Sequence, residues 1–227
     1  MRAAKTIYQA VLADAEIPDK DVERIIATGY GRKSIHFADN AVSEITAHAM
    51  GVYSLFPDVS GVIDVGGQDS KVISLDHGRV VDFLMNDKCA AGTGKFLEYT
   101  ASALEVSVEA LGGLALASKS PASISSTCTV FAESEIISLR AAGVTKEDIA
   151  AGLVESITQR VSVMAKQLGL REHVAFVGGV AKNTGIKVAL ERELGLTLFV
   201  PFEPQITGAL GGALCGKAEV LAGAGGL

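Results

Sequence analysis

Three short apolar segments spaced as hairpin strands constrain the fold of this chain more than any other feature. They cover residues 62–65, 72–75 and 80–84. Only Asp76-His77-Gly78-Arg79 separates the second segment from the third. Such a short connection allows a hairpin turn, whereas a parallel crossover would need a dozen or more residues. The sequence therefore predicts antiparallel strands over residues 62–84.

Outside this segment, helical and strand patterns alternate, which is typical of the α/β class. An amphipathic helix opens the chain, and a long helix begins at the capping residue Thr145. Ser107 should cap a short helix that Gly112-Gly113 ends. Further strands are predicted at residues 24–28, 174–177 and 198–200, and a last helix from Thr207 to about Leu221.

Composition excludes several classes of protein. The chain has 227 residues, of which 48% are hydrophobic, so it can form a sizeable core in one or two domains. No apolar run reaches the ~20 residues of a membrane span, and no signal peptide is recognisable. The net charge of −6 without a basic stripe argues against nucleic acid as the main partner. We expect a soluble cytoplasmic protein without a membrane partner.

The first hairpin contains a candidate phosphate site. Its two glycines let backbone amides approach anionic oxygens, and its two carboxylates could ligate Mg²⁺ or orient water. An ordinary glycine hairpin with charged flanks would have the same pattern. The stretch runs Asp64-Val65-Gly66-Gly67-Gln68-Asp69-Ser70-Lys71.

A second glycine turn, Gly178-Gly179, follows an apolar strand and precedes a helix. Its backbone could pass close to a ribose or an adenine. Double glycines are common at strand-to-helix turns, so this turn alone is weak evidence. The two turns together indicate a nucleotide site.

The three cysteines lie in two kinds of setting. Cys215 stands among small residues of the last helix, where a core role is expected. Cys89 and Cys128 stand in polar turns, and each is predicted to start a helix, where the backbone dipoles favour a thiolate.

Two thiolates supply half of the four ligands that an iron-sulfur cluster or a structural zinc usually takes. A cluster shared by two copies of the chain would complete the set. A disulfide between Cys89 and Cys128 stays an alternative, as does simple burial.

Four motifs together resemble the ATP-dependent activators of 2-hydroxyacyl-CoA dehydratases and the related ATPase subunits of benzoyl-CoA reductase. They are residues 64–69, 85–94, 125–135 and 178–183, and the resemblance extends from Thr28 to Gly211. It implies the ribonuclease H-like fold of acetate and sugar kinases, heat-shock chaperones and actin, with ATP between two domains. The implied boundaries are 1–58 for an incomplete first domain, 59–206 for the second, and 207–222 for a helix that returns to the first.

The resemblance also implies cofactors and residue roles. ATP, Mg²⁺ and one [4Fe-4S] cluster per homodimer would bind, the cluster through Cys89 and Cys128 of each copy. Gln68 and Asp69 would be catalytic. The nucleotide would be bound by Asp64, Gly66, Gly67, Gly178, Gly179, Asn183 and, at the adenine end, Gln205. Arg32 and Glu44 are further candidates for lining the cleft.

The implied activity is one-electron transfer, driven by ATP, from a donor such as ferredoxin or flavodoxin to the dehydratase. The alternatives are an ATPase subunit of a benzoyl-CoA-type reductase, a kinase of the same fold, and a nucleotide-binding remnant without activity. Members of the family begin with a strand and an Asp-x-Gly-Ser/Thr phosphate loop, for which this sequence has no counterpart. We therefore expect slow ATP hydrolysis.

Overall fold

The computed structural model describes residues 2–124 and 129–224. The helices are α1 (Arg2–Asp14), α2 (Glu44–Leu55), α3 (Gly94–Leu104), α4 (Ala110–Ala117), α5 (Thr129–Ala141), α6 (Lys146–Gln167), α7 (Thr184–Leu194) and α8 (Thr207–Ala224). The strands are β1 (Ile26–Ala27), β2 (Asn40–Ala41), β3 (Gly61–Val65), β4 (Ser70–Asp76), β5 (Arg79–Asn86), β6 (Val174–Val177) and β7 (Leu198–Phe199). These elements confirm the predicted α/β class.

Two compact units make up the chain. One consists of Met1–Leu55 with Ile206–Leu227, and the other of Phe56–Gln205. Among the described residues, no helix combines the length and the apolar character needed to cross a bilayer.

The first unit contains a short parallel pair, β1 with β2, and the packed helices α2 and α8. Ser43 caps α2, because its hydroxyl accepts a hydrogen bond of 3.0 Å from the amide of Thr46. α2 and α8 approach so closely that a Cβ on Gly211 would overlap the carbonyl of Ala47. Glycine is therefore required where these two helices cross.

The second unit is built on a five-stranded sheet with the order β5-β4-β3-β6-β7. β3, β4 and β5 are antiparallel neighbours, which confirms the predicted hairpins. His77 and Gly78, both with positive φ, form the tight turn between β4 and β5. β6 pairs with β3 in parallel, and β7 with β6. The carboxyl ends of β3 and β6 therefore meet at one edge.

The core of the second unit lies between this sheet and helices α3 to α7. Its largest fully buried side chains include Phe96 of α3, Leu153 and Ile157 of α6, Ile63 of β3 and Phe176 of β6. Burying each contributes roughly 1.5–3 kcal/mol. This core fixes the strand ends that carry the two glycine turns.

The predicted end of the helix after Ser107 is wrong. Gly112-Gly113 does not end a helix but lies inside α4, which continues to Ala117. A Cβ on Gly112 would lie 2.7 Å from Asn183 Oδ1 and 3.1 Å from the nitrogen of Gly185. Gly112 therefore serves the close contact between α4 and α7, and it does not serve as a helix stop.

Candidate functional site

The two glycine turns come together at the shared edge of β3 and β6. Asp64 of β3 and Val177 of β6 are paired in the sheet, so Gly178 follows directly beside Val65. Gly178 has φ +85°, and a Cβ there would lie 2.5 Å from Asp64 Oδ1 and overlap the carbonyl of Val65. Only glycine fits this position. The edge where parallel strands end is a common ligand-binding position in α/β sheets.

An open cavity of about 430 Å³ lies beside these turns. Its size falls within the range typical of small-molecule sites. The residues that line it are Gly66, Gly67, Gly94, Leu97, Glu98, Val108, Glu109, Gly179, Val180, Lys182, Asn183 and Gln205. All belong to the second unit.

This lining includes five residues predicted for the nucleotide: Gly66, Gly67, Gly179, Asn183 and Gln205. Gly178 lies behind it, against β3. Asp64 and Asp69 are buried outside the lining, and Gln68 is exposed on the turn. Arg32 and Glu44 belong to the first unit and do not line the cavity.

Asn183 has two polar groups with different surroundings. Its Oδ1 accepts a hydrogen bond of 3.1 Å from the amide of Ile186 and so caps α7. Its Nδ2 is buried and has no hydrogen-bond partner within the part of the chain that the structure describes. A buried donor without a partner is costly. This N–H₂ group is therefore suited to a ligand acceptor in the cavity.

A buried lysine holds the two carboxylates of the phosphate hairpin. Lys71 Nζ lies 3.1 Å from Asp64 Oδ2 and 2.8 Å from Asp69 Oδ2. The three side chains are at most 8% exposed. The ammonium group thus neutralises part of the buried negative charge and orients both carboxylates.

Lys71 received no specific role from the sequence. The available signal was its place in the hairpin, because Lys71 lies directly opposite Asp64 in the antiparallel pair of β3 and β4. Residues opposite each other on antiparallel strands are neighbours in space. The backbone of the turn is closed by a 3.0 Å hydrogen bond from the amide of Gly66 to the carbonyl of Asp69.

Helix α3 begins at Gly94 and not at Cys89, so the predicted helix start is wrong. Its first turn is bonded to the glycine turn at Gly66 and Gly67. The amide of Gly94 donates to the carbonyl of Gly66, and that of Lys95 to the carbonyl of Gly67, both over 2.8 Å. The first amides of α3 are therefore used by the turn. Cys89 lies five residues before the helix, in a loop.

This loop, residues 87–93, is held by side-chain hydrogen bonds. Asn86 Nδ2 donates to the carbonyls of Cys89 and Ala91, over 3.1 and 3.0 Å. Thr93 Oγ1 donates to the carbonyl of Ala90 over 2.6 Å. Cys89 is half-buried. The backbone around Cys89 is therefore held by hydrogen bonds.

Helices α3 and α5 pack against each other, and their carboxyl ends meet. Arg140, near the end of α5, donates to the carbonyl of Ala103 and to Glu105 Oε2, over 3.0 and 3.1 Å, at the end of α3. At 1.5 Å per residue, the first residues of the two helices, Gly94 and Thr129, lie about 14 and 16 Å back from this contact. Both helices therefore start at the same end of the pair.

Cys128 lies outside the described residues, and α5 begins at the next residue, Thr129. Among the described residues there is no group of three or more metal-ligating side chains. Cys215 lies in α8, where desolvation, with Glu219 nearby, raises the pKa of its thiol. This setting is in keeping with a packing role.

Known proteins align with most of this chain. The model of the BadF/BadG/BcrA/BcrD ATPase family matches residues 1–216. The chain is 50% identical over 196 residues to the 2-hydroxyisocaproyl-CoA dehydratase activator of Clostridioides difficile, which covers 86% of this chain and 74% of that protein. It is 47% identical over 205 residues to the (R)-2-hydroxyglutaryl-CoA dehydratase activating ATPase of Acidaminococcus fermentans, which covers 90% and 79%.

A more distant relative is a benzoyl-CoA reductase component of Thauera aromatica, 30% identical over 222 residues, which covers 95% of this chain and 78% of that protein. Among solved structures, the activator of the 2-hydroxyisocaproyl-CoA dehydratase from Clostridium difficile with bound ADPNP superimposes with a TM-score of 0.93. The two sequences are 44% identical, and the match covers 98% of this chain and 84% of that one.

Proposed function

Because the chain belongs to the BadF/BadG/BcrA/BcrD ATPase family, we propose that it is an ATP-dependent activator of a 2-hydroxyacyl-CoA dehydratase. The observation that carries the proposal is the identity of 50% and 47% with two relatives named as activators of such dehydratases. The benzoyl-CoA reductase component is 30% identical. The activator role is therefore favoured over a role within an aromatic reductase.

ATP would bind in the 430 Å³ cavity. The turn at Gly66 and Gly67 would receive the phosphates, since glycine amides can approach anionic oxygens closely. Gly179, Asn183 and Gln205 would contact the nucleoside, with the unpartnered Nδ2 of Asn183 as a donor. Gly178 keeps the backbone close to β3 so that both turns reach one ligand.

Hydrolysis would use the hairpin that follows the turn. Gln68 is exposed on the turn and would orient an attacking water. Asp64 and Asp69 would act on Mg²⁺ or on its bound water from the position that Lys71 gives them. Lys71 is thus a positioning residue for both carboxylates.

Cys89 and Cys128 of each of two copies would hold one [4Fe-4S] cluster. A cluster of this kind supplies one electron at a time at low potential. The described residues fit it in two respects: Cys89 is a half-buried thiol on a fixed loop, and α5, which follows Cys128, starts at the same end as α3. The electron donor would be a low-potential protein such as ferredoxin or flavodoxin, and the acceptor the dehydratase.

The test is iron analysis of the full chain, reconstituted without oxygen from iron and sulfide. We expect a dimer with about four iron atoms per two chains, loss of iron in Cys89→Ser, and full iron in the matched control Cys215→Ser. The reconstituted dimer should then activate a 2-hydroxyacyl-CoA dehydratase only with ATP and a reductant. Four iron atoms per single chain, or full iron in Cys89→Ser, would contradict the proposal.

A further inference from the structure

The loop that carries Cys89, residues 87–93, is held at both ends. Its carboxyl end is bonded to the turn at Gly66 and Gly67, and its amino end is paired with Ser70. After the loop, the amides of Gly94 and Lys95 donate to the carbonyls of Gly66 and Gly67 over 2.8 Å. Before the loop, Asn86 is the last residue of β5 and pairs with Ser70, the first residue of β4. A displacement of residues 66–70 must therefore reach both ends of this loop.

Asn86 adds a direct connection to the cysteine. A neutral asparagine amide has two N–H donors. Asn86 Nδ2 lies within hydrogen-bond distance of two carbonyls, those of Cys89 and Ala91. The backbone of Cys89 is thereby tied to the end of β5, and through the pairing with Ser70 to the residue that follows Asp69.

The loop is also restrained on its other side. Gly92 has φ +88°, and a Cβ on it would lie 2.8 Å from Cδ of Arg160 in α6. Thr93 is fully buried and bonds the carbonyl of Ala90. A short loop that is restrained at these points transmits a movement of its ends, whereas a slack loop would absorb it.

We propose that Asn86 is the positioning residue that couples nucleotide occupancy of the glycine turn to the position of Cys89. A phosphate bound against the turn at Gly66 and Gly67 would shift the turn and Ser70. Asn86 moves with Ser70, and its side chain carries the carbonyl of Cys89 along. The inference rests on the proposed function for nucleotide binding only, because the connection consists of protein groups alone.

The test measures alkylation of Cys89 in the full chain before any cluster is assembled. Iodoacetamide would be added with and without Mg²⁺ and a non-hydrolysable ATP analogue, and each cysteine-containing peptide would be quantified by mass spectrometry. Cys215 of α8 is the internal reference. In the wild type, we expect the analogue to change the alkylation rate of Cys89 by about threefold or more and to leave that of Cys215 unchanged.

Two variants remove the N–H donors of the Asn86 side chain. Asn86→Asp keeps the shape of the side chain, but its carboxylate only accepts hydrogen bonds. Asn86→Ala removes the same bonds without a new charge. In both, we expect Cys89 to lose its response to the analogue. In Asn86→Ala, the rate without nucleotide should rise about tenfold, the factor that corresponds to about 1.4 kcal/mol. The Kd of the analogue should stay within about threefold of the wild-type value, which also shows that the variants are folded.

The outcomes separate the two proposals. If the wild type does not bind the analogue, the proposed function fails. If the wild type binds the analogue but the alkylation rate of Cys89 does not change, the coupling through Asn86 is wrong and the proposed function stands. The same holds if the rate in either variant changes as much as it does in the wild type. Loss of the response in both variants with retained nucleotide affinity supports the coupling.

Discussion

Replacing Gly178 with alanine should destabilise the second unit and weaken nucleotide binding. Gly178 has φ +85° and ψ 174°, a conformation that is almost confined to glycine and costs other residues about 1–3 kcal/mol. The added methyl group would also overlap the carbonyl of Val65 and lie 2.5 Å from Asp64 Oδ1. Overpacking of this kind costs about 1–3 kcal/mol. Alanine regains about 0.4–1 kcal/mol by restricting the unfolded chain, so we expect a net loss of about 3 kcal/mol.

Gly195→Ala is the matched control. Gly195 has φ +70° and ψ 30° at the end of α7, and apart from its two chain neighbours none of the described residues has an atom within 4 Å of a Cβ there. The left-handed conformation alone costs about 1–2 kcal/mol. Alanine restricts the unfolded chain as much here as at Gly178 and regains the same free energy of unfolding. The control should therefore lose about 1 kcal/mol or less and keep its nucleotide affinity.

Urea unfolding, followed by circular dichroism, gives the free energies of unfolding, and calorimetric titration with an ATP analogue gives the affinities. Hydrogen exchange at the amides of β3 and β6 would show whether the loss lies in the second unit. Equal stability losses in the two variants, or unchanged nucleotide affinity in Gly178→Ala, would refute the close contact between the two turns.

Two further predictions concern charge. Lys71→Met should cost about 3–5 kcal/mol in urea unfolding, because it leaves two buried carboxylates without their cation. The control Lys166→Met, which loses an exposed ion pair, should cost less than about 1 kcal/mol; equal losses would contradict this. Hydrogen bonds, foremost from the Ser118 hydroxyl, lower the pKa of Asp148, so its stabilisation is present above the usual aspartate pKa of about 3.9 and lost below it. The free energies of unfolding of the wild type and Asp148→Asn should therefore differ at pH 7 and converge as the pH falls below about 4; a constant difference would contradict this.

Local patterns in the sequence predicted much of the fold. Strands predicted at residues 62–65, 72–75 and 80–84 correspond to β3, β4 and β5. The cap at Thr145 is confirmed, since its hydroxyl accepts a 3.2 Å hydrogen bond from the amide of Asp148. Hairpin spacing and helix caps depend on residues within a few positions of one another, so they can be recognised without the tertiary structure.

The two wrong helix boundaries involve contacts between distant residues. Gly112 follows a local stop signal, but its neighbours in space are Asn183 and Gly185. The helix expected at Cys89 starts at Gly94, because its amides bond to the turn at residues 66–67. β2 was not predicted, because a two-residue exposed strand has no apolar alternation.

In the candidate site too, local patterns were predicted and contacts between distant residues were not. The sequence identified both glycine turns, but the partners of Lys71, the cap formed by Asn183 and the hydrogen bonds of Asn86 required the fold. The individual roles of these residues stay predictions.

The first unit joins segments from the two halves of the chain, since α2 packs on α8 about 160 positions later in the sequence. During synthesis, α8 leaves the ribosome after every residue of Phe56–Gln205 has been made. At roughly 5–20 residues per second, α2 waits on the order of ten seconds for its partner helix. For that interval the apolar residues of α2, such as Ile45 and Val52, are not covered by α8 and are open to chaperones.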